Sequence, residues 1–76
     1  MLDPSPIEQR YRSQLLASLH IHALETLACI EQRLAKLERR YRSNPSEGLA
    51  HAVAQARVER IRAERAIRAI RSIASN

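Results

Sequence analysis

Ser43-Asn44-Pro45-Ser46-Glu47-Gly48 is the one place in this 76-residue chain where a long helical pattern must stop and restart. Pro45 disfavours the α region at Asn44, which ends the helix before it. Asn44 then reads as the cap of a second helix, accepting a hydrogen bond from the free backbone N–H groups of its first turn. Pro45 falls at the first helical position, where a missing N–H costs nothing. Glu47, three residues after the cap, completes a capping box and suits the positive end of the helix dipole. So short a connection folds the second helix back antiparallel on the first. The expected fold is all-α: one domain over 1–76, a coiled-coil-like antiparallel hairpin with helices at about 5–42 and 45–74 and a turn at 43–45.

Upstream, Asp3-Pro4-Ser5-Pro6-Ile7-Glu8 repeats the logic of the turn. Ser5 is the expected cap, Pro6 the first helical residue and Glu8 the capping-box acid, with Asp3 before Pro4 as an alternative start. Leu16, His20, Ala23, Leu27, Ile30, Leu34, Leu37 and Tyr41 then follow alternating steps of four and three. Such a seam packs at a shallow angle against a partner helix. In the second helix Leu49, Ala52, Val53, Ala56, Ala63, Ile67, Ile70 and Ala74 make the matching face, interrupted by Arg60. Folding about the turn sets Leu34 near Val53, Leu27 near Arg60, Ala23 near Ala63, His20 near Ile67 and Leu16 near Ile70. Large side chains therefore often meet small ones, which favours interdigitation. Arg60, on an apolar seam, is expected to reach a carboxylate or a carbonyl. Glu38 and Arg42 are spaced for an i,i+4 pair. The tail Ala74-Ser75-Asn76 is expected to fray.

The first helix carries more apolar residues than one stripe needs. Ile7, Tyr11, Leu15, Leu19, Ile21, Leu24 and Ala28 lie outside the seam. A helix apolar over so much of its circumference is expected to meet more than one neighbour. Tyr11, Leu15, Leu19, Ile21, Leu24 and Ala28 are accordingly the candidate partner-binding residues, for a protein partner or a second copy. Ala50, Ala54, Val58 and Ile61 form a smaller facet of the second helix near the turn.

Size points the same way. Chains this short bury only roughly 60% of their unfolded surface. The single cysteine, Cys29, allows no internal disulfide, and no Cys/His spacing suggests a structural zinc. Oligomerisation or a partner is the remaining route to stability. One thiol in a helical chain fits a reducing compartment, so a cytoplasmic location is expected. The first six residues lack the basic region and apolar run of a signal peptide, and no stretch approaches a membrane span.

No chemistry of catalysis is visible, and neither a cofactor nor an enzyme is expected. His20 and His22 project about 200° apart on a helix and cannot share a metal. His22 and Glu25 are two ligands at most, too few for zinc. His20 reads as a satisfied core or interface histidine, and Cys29 as a small buried or half-buried hydrophobe. With Gly48 the only glycine, there is no phosphate-cradling loop.

The formal charge is +5, and every cation except Lys36 is arginine. Arg62, Arg65, Arg68 and Arg71 recur every three residues, a spacing that winds around the helix by about 60° per step. A groove-reading helix would need one face. These four are read as a solubilising surface partly paired with Glu59 and Glu64. They are also the candidate contacts for an acidic partner or a polyanion. The near-absence of aromatics speaks against base stacking.

From Leu27 to Ile73 the chain resembles the small helical-hairpin co-chaperones of bacterial type III secretion. The stretch Glu31-Gln32-Arg33-Leu34-Ala35-Lys36-Leu37-Glu38-Arg39-Arg40, the turn and the Ala/Arg/Glu/Gln-rich second helix carry that likeness. The needle subunits of the same system turn at a motif similar to Ser43-Asn44-Pro45-Ser46, but they have a polar second helix and are far less basic. The resemblance implies a non-enzymatic chaperone that keeps a needle subunit soluble in the cytoplasm. The alternative expectation is a homodimeric four-helix bundle that binds nucleic acid, comparable in architecture to two-helix plasmid regulators.

Overall fold

A computed structural model describes residues 5–75 as two long helices, α1 (Pro6–Ser43) and α2 (Glu47–Ser75). The alternative start at Asp3-Pro4, the leader assignment of the first residues and the fraying of Asn76 lie outside the described residues. The hairpin measures 61 × 18 × 15 Å. The long dimension matches the roughly 57 Å expected of a 38-residue helix at 1.5 Å per residue.

Local chemistry sets the helix ends. At the start of α1 the Glu8 N–H donates to Ser5 Oγ (3.2 Å), and the Gln9 N–H donates to the Ser5 carbonyl (3.0 Å). Pro6 takes the first helical position, as expected. The second cap is not the expected one. Asn44 closes α1 instead, its N–H donating to the Arg40 carbonyl at 2.9 Å. Ser46 caps α2: its Oγ accepts from the Leu49 N–H (3.1 Å) and its carbonyl from the Ala50 N–H (2.9 Å). The reason is distance. Packed helix axes stand about 8–10 Å apart, and an extended residue spans about 3.4 Å. The three non-helical residues 44–46 cover that gap; a cap at Asn44 would leave too little chain. Glu47 thus becomes the first residue of α2, and Gly48 lies inside its first turn rather than in the reversal. At the far end α2 stays helical through Ser75, whose Oγ donates to the Arg71 carbonyl (2.8 Å).

The two seams meet as expected. Leu34, Val53 and Ala56 are buried together, with Leu37 packed against them, and Ile67 is buried farther along α2. Leu16, His20, Ala23, Leu27 and Ile30 of α1 are half-buried, as are Leu49, Ala52, Arg60, Ala63 and Ile70 of α2. Tyr41 and Ala74, the outermost seam residues, are exposed. Three of the four buried side chains lie near the turn, so the core thins toward the open end.

The turn chemistry makes two predictions of opposite sign. Ser46→Ala removes the α2 cap and is expected to lower stability by about 1 kcal/mol, with Asn44→Ala having the smaller effect. Gly48→Ala is expected to raise stability by about 0.5 kcal/mol, since a Cβ there meets nothing within 4 Å and the backbone φ is ordinary. Chemical denaturation followed by helical ellipticity measures both.

Candidate interaction surface

Two ion pairs across the seam define its two sides. Arg33 of α1 pairs with Glu59 of α2 on one side. Glu38 Oε1 of α1 stands 4.0 Å from Arg57 Nε of α2 on the other. The expected intrahelical partner of Glu38 was Arg42; the facing helix offers an arginine at the same level and takes the carboxylate instead. Glu59 is likewise drawn across the hairpin, and Glu64 lies 3.6 Å from Arg60 Nε on its own helix. Arg60 therefore does reach a carboxylate from its seam position, although its Nε makes no hydrogen bond.

The six apolar candidates Tyr11, Leu15, Leu19, Ile21, Leu24 and Ala28 are all exposed. Tyr11 is 68% accessible, and even Leu24, the least exposed of the five large ones, remains at 39%. They do not form one patch. Leu15 and Leu24 are nine residues apart, which at 100° per residue sets them about 180° apart around α1. Ile7, Tyr11, Leu15 and Leu19 follow one another at i,i+4 and make a ridge that winds onto the Arg33–Glu59 side. Ile21, Leu24 and Ala28 lie on the Glu38–Arg57 side. Both sets lie outside the seam, and helical angle divides them between its two sides.

The facing helix makes these two flanks chemically unlike. Two heptads from Arg33 and Glu59 toward the open end stand Leu19 and Ile73; one heptad away stand Thr26 and Ala66. Between its ends that side pairs Leu19 with Ile73, with Arg12, Leu16 and Ile73 lining a shallow groove at the open end and Glu25, Thr26 and Cys29 lining another toward Arg33. Two heptads from Glu38 and Arg57 stand Leu24 and Arg71, with Arg68 one turn before Arg71 on the same side. A second shallow groove there is lined by Leu16, His20, Ile70 and Arg71. This side joins an apolar wall to an arginine wall.

Charge is distributed to match. From Ser13 to Ile30 the only formal charge is Glu25, whereas α2 from Arg57 onward carries six arginines and two glutamates. The four candidate arginines diverge as their spacing requires. Arg68 and Arg71 face the Leu24 side, Arg65 turns to the back of α2, and Arg62 shares an outer groove with Val58 and Glu59. Among the described residues none of the four forms an ion pair, because Glu59 and Glu64 are engaged by Arg33 and Arg60. Val58 and Ile61, the facet near the turn, are also about half exposed.

Two polar residues differ from expectation. Cys29 is exposed, one heptad past His22 on the outer part of the Arg33 side, because a two-helix layer leaves that position uncovered. His20 lies on the seam, but its Nε2 is buried with no hydrogen-bond partner. Among the described residues no group of three His, Cys, Asp or Glu could hold a metal, and no helix is long and apolar enough to cross a membrane. Compared with known proteins, the chain matches no family model, no curated sequence and no solved structure.

The unpaired imidazole nitrogen leads to a stability prediction. An unsatisfied buried polar group costs about 1–3 kcal/mol, so His20→Leu is expected to stabilise the hairpin. For a chain of this size the melting temperature should rise by about 4–8 °C per kcal/mol. A fall in the melting temperature would mean that the ring nitrogen has a partner.

Proposed function

We propose that this chain is a non-enzymatic protein–protein interaction module, a helical hairpin that presents two unlike apolar flanks near its open end. One observation carries the reading. Among the described residues ten large apolar side chains are exposed, against four hydrophobic side chains that are buried. Exposed apolar surface in contiguous patches marks docking sites on soluble proteins. The likeness to the needle co-chaperones gives the most concrete form of the reading: a cytosolic hairpin that shields an aggregation-prone helical subunit. The Leu24 side, with Arg68 and Arg71 beside it, suits a helix that is apolar along one stripe and acidic along its edge.

Site-specific photocrosslinking in the native host tests this. A photoreactive residue in place of Leu19 or Leu24 is expected to give discrete protein adducts that survive nuclease treatment, whereas the same residue at Gln55 gives none. Adducts that vanish with nuclease, or none from either flank, would overturn the reading.

A second reading is favoured by the four arginines without acidic partners: a hairpin dimer that binds nucleic acid as an accessory protein. Their divergence around α2 speaks for diffuse contact with phosphates rather than base readout. Anisotropy with a duplex probe between 50 and 200 mM salt decides it, since each phosphate neutralised contributes about −0.9 to the log–log slope. The interaction-module reading expects a slope shallower than about −2, unchanged by Arg68→Ala. A slope near −4 that flattens when the four arginines become alanine would establish the nucleic-acid reading.

A further inference from the structure

The Arg33–Glu59 side and the Glu38–Arg57 side both expose leucine, but only the first is suited to meeting itself. In a two-fold contact a residue near the axis lies opposite its own copy. On the Arg33–Glu59 side those residues are Leu15, Leu19, Ala66 and Ile73, which gain from mutual burial. Arg12 at the open end and Glu25 toward the turn, of opposite sign, line the grooves on this side, and beyond Glu25 Arg33 and Glu59 already neutralise each other. On the other side Arg68 and Arg71 flank Leu24 and would be brought against the same arginines of the copy, a like-charge contact in a drying interface. The surface area gives the scale. The chain exposes 6447 Å². A compact chain of its 8.7 kDa would expose roughly 4,700 Å², an excess of roughly 1,700 Å². Standard interfaces bury about 800 Å² per partner, and obligate homodimers commonly more.

We propose that a second copy of this chain docks on the face formed by Leu15, Leu19, Ala66 and Ile73, joining two hairpins at their open halves into a four-helix bundle. This rests on the interaction-module reading and names one of its partners. The Leu24 side, with its arginines, stays outside the dimer contact and free for another chain.

Sedimentation or light scattering of the full chain at moderate salt, with circular dichroism on the same fractions, tests the proposal. A helical species of twice 8.7 kDa is expected. Leu19→Asp and Ile73→Asp should each weaken dimerisation by about 100-fold or more, and Leu24→Asp should leave it unchanged. Because a charged variant can fail by unfolding, a second measurement uses Leu15→Cys in a Cys29→Ser background. Mild oxidation should join two copies through Leu15→Cys, whereas Ala28→Cys in the same background should not crosslink. A dimer that Leu24→Asp breaks and Leu19→Asp spares overturns the assignment of the face. A partly folded or aggregating monomer overturns the second copy but leaves the wider reading, since a different partner is then missing. A stable, cooperatively melting monomer overturns both.

Discussion

Each helix of this protein has one neighbour, and that constraint governs the rest of the structure. A helix with a single partner buries a single stripe, here the alternating three- and four-residue seam. Along that stripe the packing is economical, with Leu34 buried together with Val53 and Ala56, so that small residues admit large ones. Away from it nothing can be covered, whatever the side chain. The same leucine that would be core in a four-helix bundle is surface in a hairpin. The exposed apolar residues are therefore the direct result of giving α1 a wider apolar surface than a two-helix layer can bury.

The cross-seam ion pairs report the alignment of the helices more than they stabilise it. Both are substantially exposed, and such pairs contribute little net energy. Sliding α2 by one heptad in either direction, however, would set Arg33 against Ala52 or Ala66 and Glu38 against Ala50 or Glu64. Both pairs would be lost at once, and in one direction two glutamates would meet. The three-residue link between Ser43 and Glu47 cannot stretch over such a slide, so the turn sets the register and the charges agree with it. That register also decides which residues flank the leucines of α1: isoleucine and alanine on one side, arginine on the other.

Much of this was legible in the residues. Alternating spacing identifies both seams, because a heptad repeat maps directly onto a buried stripe, and folding about the turn places Leu34 with Val53 and Leu16 beside Ile70. The exposure of Tyr11, Leu15, Leu19, Ile21, Leu24 and Ala28 follows from their absence from that stripe. The cap of α2 was misplaced by two residues, because Asn44 and Ser46 are both good caps and only the inter-axis distance separates them. The partners of Glu38 and Glu59 are less visible, because i,i+4 spacing along one helix does not show pairs that form only across the register the turn sets. The division of the apolar surplus into two flanks was available from angle alone and is lost when residues are grouped by neighbourhood in the chain.

The buried cluster and most of the exposed apolar side chains of α1 lie at opposite ends of the molecule. The buried cluster lies near the turn, while the open half is held by half-buried seam residues, several of them alanine, and contains the unpaired His20 nitrogen. Local opening should therefore be easiest where the exposed leucines are, since opening free energy follows buried apolar contact. A partner that binds only the closed hairpin then adds its binding free energy to the least stable segment. Were a partner to bind there, as proposed, the open half would gain order from association, while the turn, with its core and its two caps, holds the helices in register with or without one.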